Sequence, residues 1–276
     1  MPELPEVETI ARQLRARGVE GREILSVKIN WAPTVEPLST AQFSTQVCGT
    51  TINEISRVGK WLLFSLSSGQ TLMIHLRMAG SFALEKGTHD RIVVKLSDGL
   101  TLFYRDTRKF GRWKLVDDPQ VILSKLGPDA LTRQFTLKYF SEAMKKRHRM
   151  IKPLILDQGI VAGLGNIYAD EAMWESKIHP ERLSDSLSDA ELAKLFRAIR
   201  HVLTVGVKNR GTSLGDGKTN YRDVEGESGG HREEVKAYGR GGQPCKKCKT
   251  ALEKTVVAQR GTTFCPRCQP LIPPSV

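Results

Sequence analysis

Two sets of residues have the type and spacing to do chemistry. The first is the amino end, Met1-Pro2-Glu3-Leu4-Pro5-Glu6-Val7-Glu8-Thr9. A small second residue such as proline favours removal of the initiator methionine. Removal would leave a secondary amine on Pro2 with the Glu3 carboxylate beside it. An unprotonated amine attacks an electrophilic carbon and forms an iminium, and a neighbouring carboxylate can carry the protons. The same residues also suit a helix start. Pro5 fits the first turn, and Glu6 and Glu8 fit the positive end of a helix dipole. The two readings are compatible, because a helix would fix the amine in space. The second set is Cys245-x-x-Cys248 followed, after sixteen intervening residues, by Cys265-x-x-Cys268. Such pairs match a tetrahedral four-thiolate zinc site, whose filled shell makes the ion structural. Two disulfides are the alternative, disfavoured in a reducing compartment. Residues 255–258 and 262–264 predict a hairpin with Arg260 at its tip. A guanidinium on metal-fixed backbone can grip a phosphate, though a solvated turn arginine explains it equally well. Cys48 stands alone and reads as core.

Other stretches carry weaker chemistry. Gly163-Leu164-Gly165-Asn166 precedes a helix, where glycines allow close backbone approach and helix N-termini attract anions. Most such turns only connect helices. Lys60, after Arg57-Val58-Gly59, is a phosphate contact or an ordinary strand-end lysine. His75-Leu76-Arg77-Met78-Ala79-Gly80 and Asp106-Thr107-Arg108-Lys109-Phe110-Gly111-Arg112 pair apolar wedges with cations. Proteins that distort DNA insert Met, Phe or Leu between bases and read edges with Arg. Singly, a Met or Phe after a strand is ordinarily core.

These residues need elements to hold them. Val7, Ile10, Ala11 and Leu14 have helical spacing, and Gly18 suits the exit. The period then shortens. Residues 24–29, 52–58, 62–66, 72–76, 92–96 and 100–104 read as strands. Ser67-Ser68-Gly69 and Ser97-Asp98-Gly99 read as hairpin turns. Repeated short strands predict a β-sandwich or barrel. From about residue 135 the pattern is helical. Pro153 suits a helix start, Ile167 begins another helical run, and Ser188 with Glu191 forms a capping box before Leu192, Leu195, Phe196, Ile199 and Leu203. Residues 206–240 are polar and glycine-rich, the mark of a functional or disordered loop.

Composition sets the class. A chain of 276 residues accommodates two domains, and 39% apolar content is ordinary for a globular protein. The net charge of +12 favours a polyanionic partner. No basic amphipathic helix of the membrane-surface kind stands out, so nucleic acid leads. No run approaches the ~18 apolar residues of a membrane span, and no signal peptide opens the chain, so no membrane partner is expected and the cytoplasm is the expected compartment. No self-complementary helix pattern is present, so a monomer is expected.

Taken together, MPELPEVET, RVGK at 57–60, HLRMAG at 75–80, RKFG at 108–111, DQGIVAGLGNIYADEA at 157–172, KAYGR at 236–240 and FCPRCQ at the end of the finger carry a resemblance that runs nearly end to end. The chain resembles the formamidopyrimidine-DNA glycosylases, bacterial base-excision-repair enzymes. The resemblance implies a multidomain α+β protein: an N-terminal β-sandwich with flanking helices, a C-terminal helix–two-turn–helix domain and a zinc-finger β-hairpin. The implied boundaries are 1–118 for the catalytic sandwich, 119–134 for a linker, 135–240 for the helical domain with its lesion loop, 241–270 for the finger and 271–276 for a tail. It implies removal of oxidised purines, 8-oxoguanine and formamidopyrimidines, from double-stranded damaged DNA in the bacterial cytosol or nucleoid. It also implies lyase activity at the resulting abasic site by β,δ-elimination.

The same resemblance assigns roles. Pro2 is the nucleophile at the sugar C1′ and Glu3 the general acid/base. Glu6 and Glu171 are supporting carboxylates around the amine. Lys60, Asn166 and Arg260 hold the phosphates flanking a flipped nucleotide. Met78, Arg108 and Phe110 fill the vacated stack and probe the opposite base, and His89 touches the DNA. Cys245, Cys248, Cys265 and Cys268 hold one structural zinc, with no redox or nucleotide cofactor. Leu4 favours this branch over the endonuclease VIII-like proteins, which usually have glycine there. A non-catalytic damaged-DNA binder is the rival from another class. Thr107, Lys109 and Trp61 depart from the family's usual Pro, Arg and Tyr. The loop from Gly215 through Asp223 to His231 departs most, and in the family this region closes over the everted base.

Overall fold

The computed structural model describes residues 1–213 and 221–271. Gly215 to Asn220 of the divergent loop and residues 272–276 of the tail lie outside the described residues. The chain forms two compact units, residues 1–124 with 206–232 and residues 125–205 with 233–276.

The first unit opens with α1 (Leu4–Ala16). Val7, Ile10, Ala11 and Leu14 form its buried stripe, and Pro5 sits in the first turn, where a missing N–H leaves no intrahelical bond unmade. Then come β1 (Ile24–Ile29), α2 (Thr40–Val47), β2 (Ile52–Val58), β3 (Trp61–Leu66), β4 (Thr71–His75), β5 (Gly80–Ala83), β6 (Asp90–Leu96), β7 (Thr101–Asp106), β8 (Arg112–Val116) and α3 (Gln120–Leu123). The strands form two antiparallel sheets in the orders β1-β6-β7-β5 and β2-β3-β4-β8. Alternate residues turn inward, as in β7, where Leu102, Tyr104 and Asp106 are buried and their neighbours half-buried. The two inner faces share one core. Within it, Phe82 and Tyr104 from one sheet meet Trp113 from the other at ring-centroid distances of 5.8 and 5.2 Å. Burying side chains of this size stabilises by roughly 1.5–3 kcal/mol each, before entropy is counted. The expected sandwich is therefore present, with strands β5 and β8 and helix α2 in addition to those the pattern predicts. Cys48 is half-buried at the end of α2 rather than in the core.

Strand register decides where the loops go. Trp61 pairs with His75, and His75 with Arg112, in one sheet; Gly80 pairs with Asp106, and Asp90 with Arg105, in the other. The β4–β5 and β7–β8 connections cross between the sheets at this same end. Residues 59–60, 76–79 and 107–111 and His89 therefore gather at one end of the sandwich.

The second unit contains α4 (Leu137–Lys145), α5 (Ile151–Ile155), α6 (Asn166–Ser176), most of α7 (Asp189–Lys208) and the hairpin β9 (Glu253–Val257) with β10 (Arg260–Phe264). Helix α5 starts two residues before Pro153, which still lies in the first turn, where N–H groups have no intrahelical acceptor. The capping box forms: Glu191 N–H donates to Ser188 Oγ at 3.3 Å and Ser188 N–H to Glu191 Oε2 at 2.9 Å. Leu192, Leu195, Ile199 and Leu203 are buried as their spacing predicts. Among the described residues no helix is long and apolar enough to cross a membrane.

Candidate active site and zinc centre

At the amino end, Met1 is exposed while Pro2, Glu3 and Glu6 are buried. Glu6 Oε2 accepts the Glu3 N–H at 2.7 Å, fixing the backbone one residue from the Pro2 nitrogen. Glu6 Oε1 accepts the Thr212 N–H, also at 2.7 Å. Gly211, at φ +81, makes this approach feasible, since a Cβ there would come within 2.8 Å of Glu6 Cγ. Segment 221–224 is held to α1 as well. Gln13 donates to Asp223 Oδ2 at 2.8 Å and accepts the Val224 N–H at 3.0 Å. Tyr221 lies in the sandwich core, where burial and the nearby Glu6 and Asp223 charges raise its phenol well above its ordinary value.

Lys60 is buried in the tight turn between β2 and β3. Three residues earlier, Arg57 Nε contacts Glu8 Oε2 at 2.9 Å, tying the end of β2 to the early turns of α1. Burial alone would raise the Glu8 carboxyl, but hydrogen bonds and charge from Arg57 and Arg12 bring it below the ordinary value. His75 is pushed down to about 3 by burial and by the Arg77 and Lys60 charges, so its ring is neutral at physiological pH. Its Nδ1 accepts the Arg77 N–H at 3.0 Å, and its ring meets Trp61 edge-on at 4.8 Å. The same loop exposes Met78.

On the neighbouring loop, Arg108 and Phe110 are exposed, the guanidinium 5.1 Å from the ring centroid. The buried Asp106 carboxylate accepts the N–H groups of Arg108, Lys109 and Gly111 at 2.9, 3.0 and 2.7 Å. His89 is exposed just before β6. Sequence reasoning singled out Arg108 and Phe110 but missed Asp106 as the holder of their loop. A lone aspartate closing a strand carries no periodic signal.

In the second unit, Asn166 opens α6 and donates from Nδ2 to the Gly261 carbonyl at 2.9 Å. Lys152, fully buried, donates from Nζ to the same carbonyl at 2.9 Å, to Thr262 Oγ1 at 2.7 Å and to Asp170 Oδ1 at 2.6 Å. Asp170 Oδ2 accepts the Thr263 N–H at 2.9 Å. Burial pushes the Asp170 carboxyl up, and Lys152 opposes that rise. This clamp brings Asn166 and Arg260 together, because both flank the doubly held Gly261. Arg260 itself is exposed beside a two-residue turn, Ala258-Gln259, with both residues at positive φ. Lys152 and Asp170 were not singled out by sequence; a lysine next to Pro153 reads as a surface residue. The Glu171 carboxylate is taken up within this unit, accepting the N–H groups of Lys236, Ala237 and Tyr238 at 2.8 Å each. Burial raises Glu171 and these three bonds oppose the rise.

The four cysteine sulfurs lie within 4.8 Å of one another and form no disulfide. Bonds of ~2.3 Å in a zinc tetrahedron require sulfurs roughly 3.8 Å apart, so the donor set and spacing fit that ion. Trp174 packs beside Cys245, Leu252 and Cys265. Gln269 ties the second knuckle down, accepting the Cys265 N–H and donating to the Ile178 carbonyl, both at 2.9 Å.

Family models match three segments in chain order. They are the formamidopyrimidine-DNA glycosylase N-terminal domain over residues 1–113, the formamidopyrimidine-DNA glycosylase H2TH domain over 126–217, and the zinc finger found in FPG and IleRS over 242–271. That succession defines a DNA-glycosylase architecture closed by a zinc finger. The formamidopyrimidine-DNA glycosylase of Herpetosiphon aurantiacus is 43% identical over 277 residues, covering 98% of this chain and all of the relative. That of Protochlamydia amoebophila is 40% identical over 274 residues, 98% of this chain and 99% of the relative. The crystal structure of the MutM (Fpg) protein from Thermus thermophilus superposes with a TM-score of 0.90 at 40% identity, covering 99% of this chain and 100% of that one. A complex between the Lactococcus lactis Fpg and an abasic site containing DNA gives 0.89 at 36% identity, over 98% and 100% of the two chains. The chain belongs to the formamidopyrimidine-DNA glycosylase family, and its finger is the four-cysteine site of one structural zinc.

Proposed function

We propose that this glycosylase binds damaged double-stranded DNA and removes oxidised purines, 8-oxoguanine and formamidopyrimidines, through the Pro2 amine exposed when Met1 is removed. A base stacked in duplex cannot be attacked, so the nucleotide is first everted. The Pro2 nitrogen attacks C1′ as the bond to the base breaks and then loses its proton. Its lone pair next expels O4′, which takes up a proton as the C1′–O4′ bond breaks, and the opened sugar is left as an iminium. Glu3 carries the protons, and Glu6 fixes the backbone that carries the amine. The iminium acidifies the C2′ hydrogens, so elimination expels the 3′ phosphate. A second elimination expels the 5′ phosphate and leaves a one-nucleotide gap. Lys60, Asn166 and Arg260 hold the flanking phosphates. Met78, Arg108 and Phe110 occupy the vacated stack and test the opposite base, with His89 on the DNA backbone. Glu171 acts through the turn at 236–238. The enzyme works as a monomer in the bacterial cytosol or nucleoid.

The observation that carries this reading is the buried start of α1, where Glu6 pins the Glu3 amide next to Pro2. The net charge of +12 suits a phosphate-rich partner. Lactococcus lactis Fpg has been captured with DNA containing an abasic site or an oxidized pyrimidine, and a mutant of it with Fapy-dG containing DNA, so such lesions belong among those to be tried here. The test is incubation with duplexes carrying 8-oxoguanine, formamidopyrimidine, thymine glycol or no lesion, followed by strand analysis. The expected product is a gap with phosphate on both ends at the two purine lesions. Binding without base release or nicking would refute the enzymatic reading.

A further inference from the structure

We propose that Asp106 is a positioning residue for discrimination of the base opposite the lesion. It sets the loop that carries Arg108 and Phe110 and locks that loop to its neighbours. The proposal rests on the reading above in which those two side chains probe the opposite strand.

Asp106 is the last residue of β7, and only 1% of its surface is exposed. Its two carboxylate oxygens meet three N–H groups of the loop that follows. Oδ1 takes Arg108 at 2.9 Å and Lys109 at 3.0 Å, and Oδ2 takes Gly111 at 2.7 Å. Hydrogen bonds to an ionised acceptor are the stronger kind, and they set direction as well as distance. Here they hold a backbone that does not hold itself. Lys109 sits at φ +61, which a side chain disfavours, and Gly111 packs where a Cβ would overlap the Tyr104 hydroxyl. Arg108 and Phe110 are exposed and contact each other; Asp106 fixes N–H groups of their loop, while Arg112 Nη1 donates to the Lys109 and Gly111 carbonyls at 3.5 and 2.8 Å.

The main chain of Asp106 reaches the two adjoining loops. Its N–H donates to the His89 carbonyl at 3.1 Å, and its carbonyl accepts Arg91 Nε at 2.8 Å. Arg91 Nη2 lies 3.2 Å from His89 Nδ1. Across the sheet Asp106 pairs with Gly80, which closes the Met78 loop. One residue thus touches the segments bearing Met78, His89, and Arg108 with Phe110. A probe that distinguishes bases by hydrogen-bond geometry requires such fixed backbone, since loosening it lets Arg108 meet either partner.

Asp106→Asn keeps the side-chain shape but turns one acceptor into a donor facing a backbone N–H. The readout is the ratio of kcat/KM for 8-oxoguanine opposite cytosine to that opposite adenine. We expect D106N to lower this ratio about tenfold, in the same direction as R108A. In an R108A/F110A background it should change the ratio by less than about twofold, as expected when one residue acts through others. Asp106→Glu, which keeps the charge and lengthens the reach, gives a second reading if D106N does not fold; it should lower the ratio by about threefold. Selectivity retained in D106N or D106E while R108A loses it would overturn the proposal. An additive effect in the R108A/F110A background would also overturn it, leaving Asp106 a stability residue of the sandwich. If R108A and F110A themselves keep full selectivity, the loop does not probe the opposite base, and it is the parent reading that fails.

Discussion

Replacing Lys152 with methionine tests how the hairpin is held in the second unit. The side chain is fully buried, and its ammonium donates to Asp170, the Gly261 carbonyl and Thr262. Methionine fills similar space but leaves Asp170 with one donor, the Thr263 N–H, and leaves Gly261 with the Asn166 amide. Removing one partner of a buried ion pair costs roughly 3–5 kcal/mol, because the other charge stays desolvated. At ~3 °C per kcal/mol for a unit of this size, the transition of zinc-loaded protein should fall by roughly 10–15 °C in calorimetry. The deficit should depend on pH with a definite sign. Burial already raises Asp170, Lys152 opposes that rise, and K152M removes the opposition. An acid whose folded pKa is raised stabilises below its unfolded value, near ~4, and loses that contribution as pH rises through the folded value. The K152M deficit is therefore largest at neutral and higher pH and shrinks as pH falls toward ~4. Lys152→Met with Asp170→Leu should recover most of the loss, since no uncompensated charge remains. K152M within ~1 kcal/mol of the parent at pH 7.5, or a deficit that grows on acidification, would refute the clamp.

Three further outcomes follow from the geometry. Chelating zinc, or Cys248→Ser, should loosen the finger and weaken DNA binding while the sandwich keeps its own unfolding transition; unchanged binding after verified metal loss contradicts this. Lys60→Ala and Arg260→Ala should each weaken binding on every sequence and flatten the slope of log K against log salt by about 0.9, measured by anisotropy titration; wild-type slopes would remove them from the phosphate contacts. His75, held near 3 by burial and the Arg77 and Lys60 charges, should show no imidazole titration by NMR between pH 5 and 8. Its contribution to stability is present above its unfolded value near ~6.5 and is lost as pH falls toward 3, so an ordinary titration curve would contradict the burial argument.

Where apolar period carries the information, the fold was legible. Val7, Ile10, Ala11 and Leu14 gave α1 its stripe, and residues 100–104, read as a strand, lie almost wholly in β7, with Leu102 and Tyr104 buried. The elements that escaped carry little of that signal. Strand β5 is four residues beginning with glycine, and α2 buries only Phe43 and Val47. The Ser39–Gln42 capping box was the readable cue for α2: Gln42 N–H donates to Ser39 Oγ at 3.2 Å and Ser39 N–H to Gln42 Oε1 at 3.0 Å. In the site, the cysteine pairs were found by their spacing, and Pro2-Glu3 were singled out by their position as the proposed catalytic pair. Among the polar residues that hold backbone in place, the resemblance marked Glu6 and Glu171, but three others were missed. Asp106, Lys152 and Asp170 are buried charges at positions where composition suggests solvent, and only the fold shows what compensates them. Gly211 and Thr212 escaped for a related reason, since their contact with Glu6 spans about 200 residues of chain.

Covalent trapping is the most direct measurement of the central claim. Borohydride reduces an iminium to a stable amine, so enzyme incubated with an 8-oxoguanine duplex in its presence should form a permanent protein–DNA adduct, and peptide mapping should place it on Pro2 as the first residue of the mature chain. A free α-amino group has an ordinary pKa near ~8, so a usable fraction is unprotonated at neutral pH without any special shift. A residue fused ahead of Pro2 converts the amine to an amide, and the account predicts loss of both adduct and strand cleavage with DNA binding retained. Normal trapping and cutting by the extended protein, or an adduct mapping to a lysine such as Lys60, would contradict it.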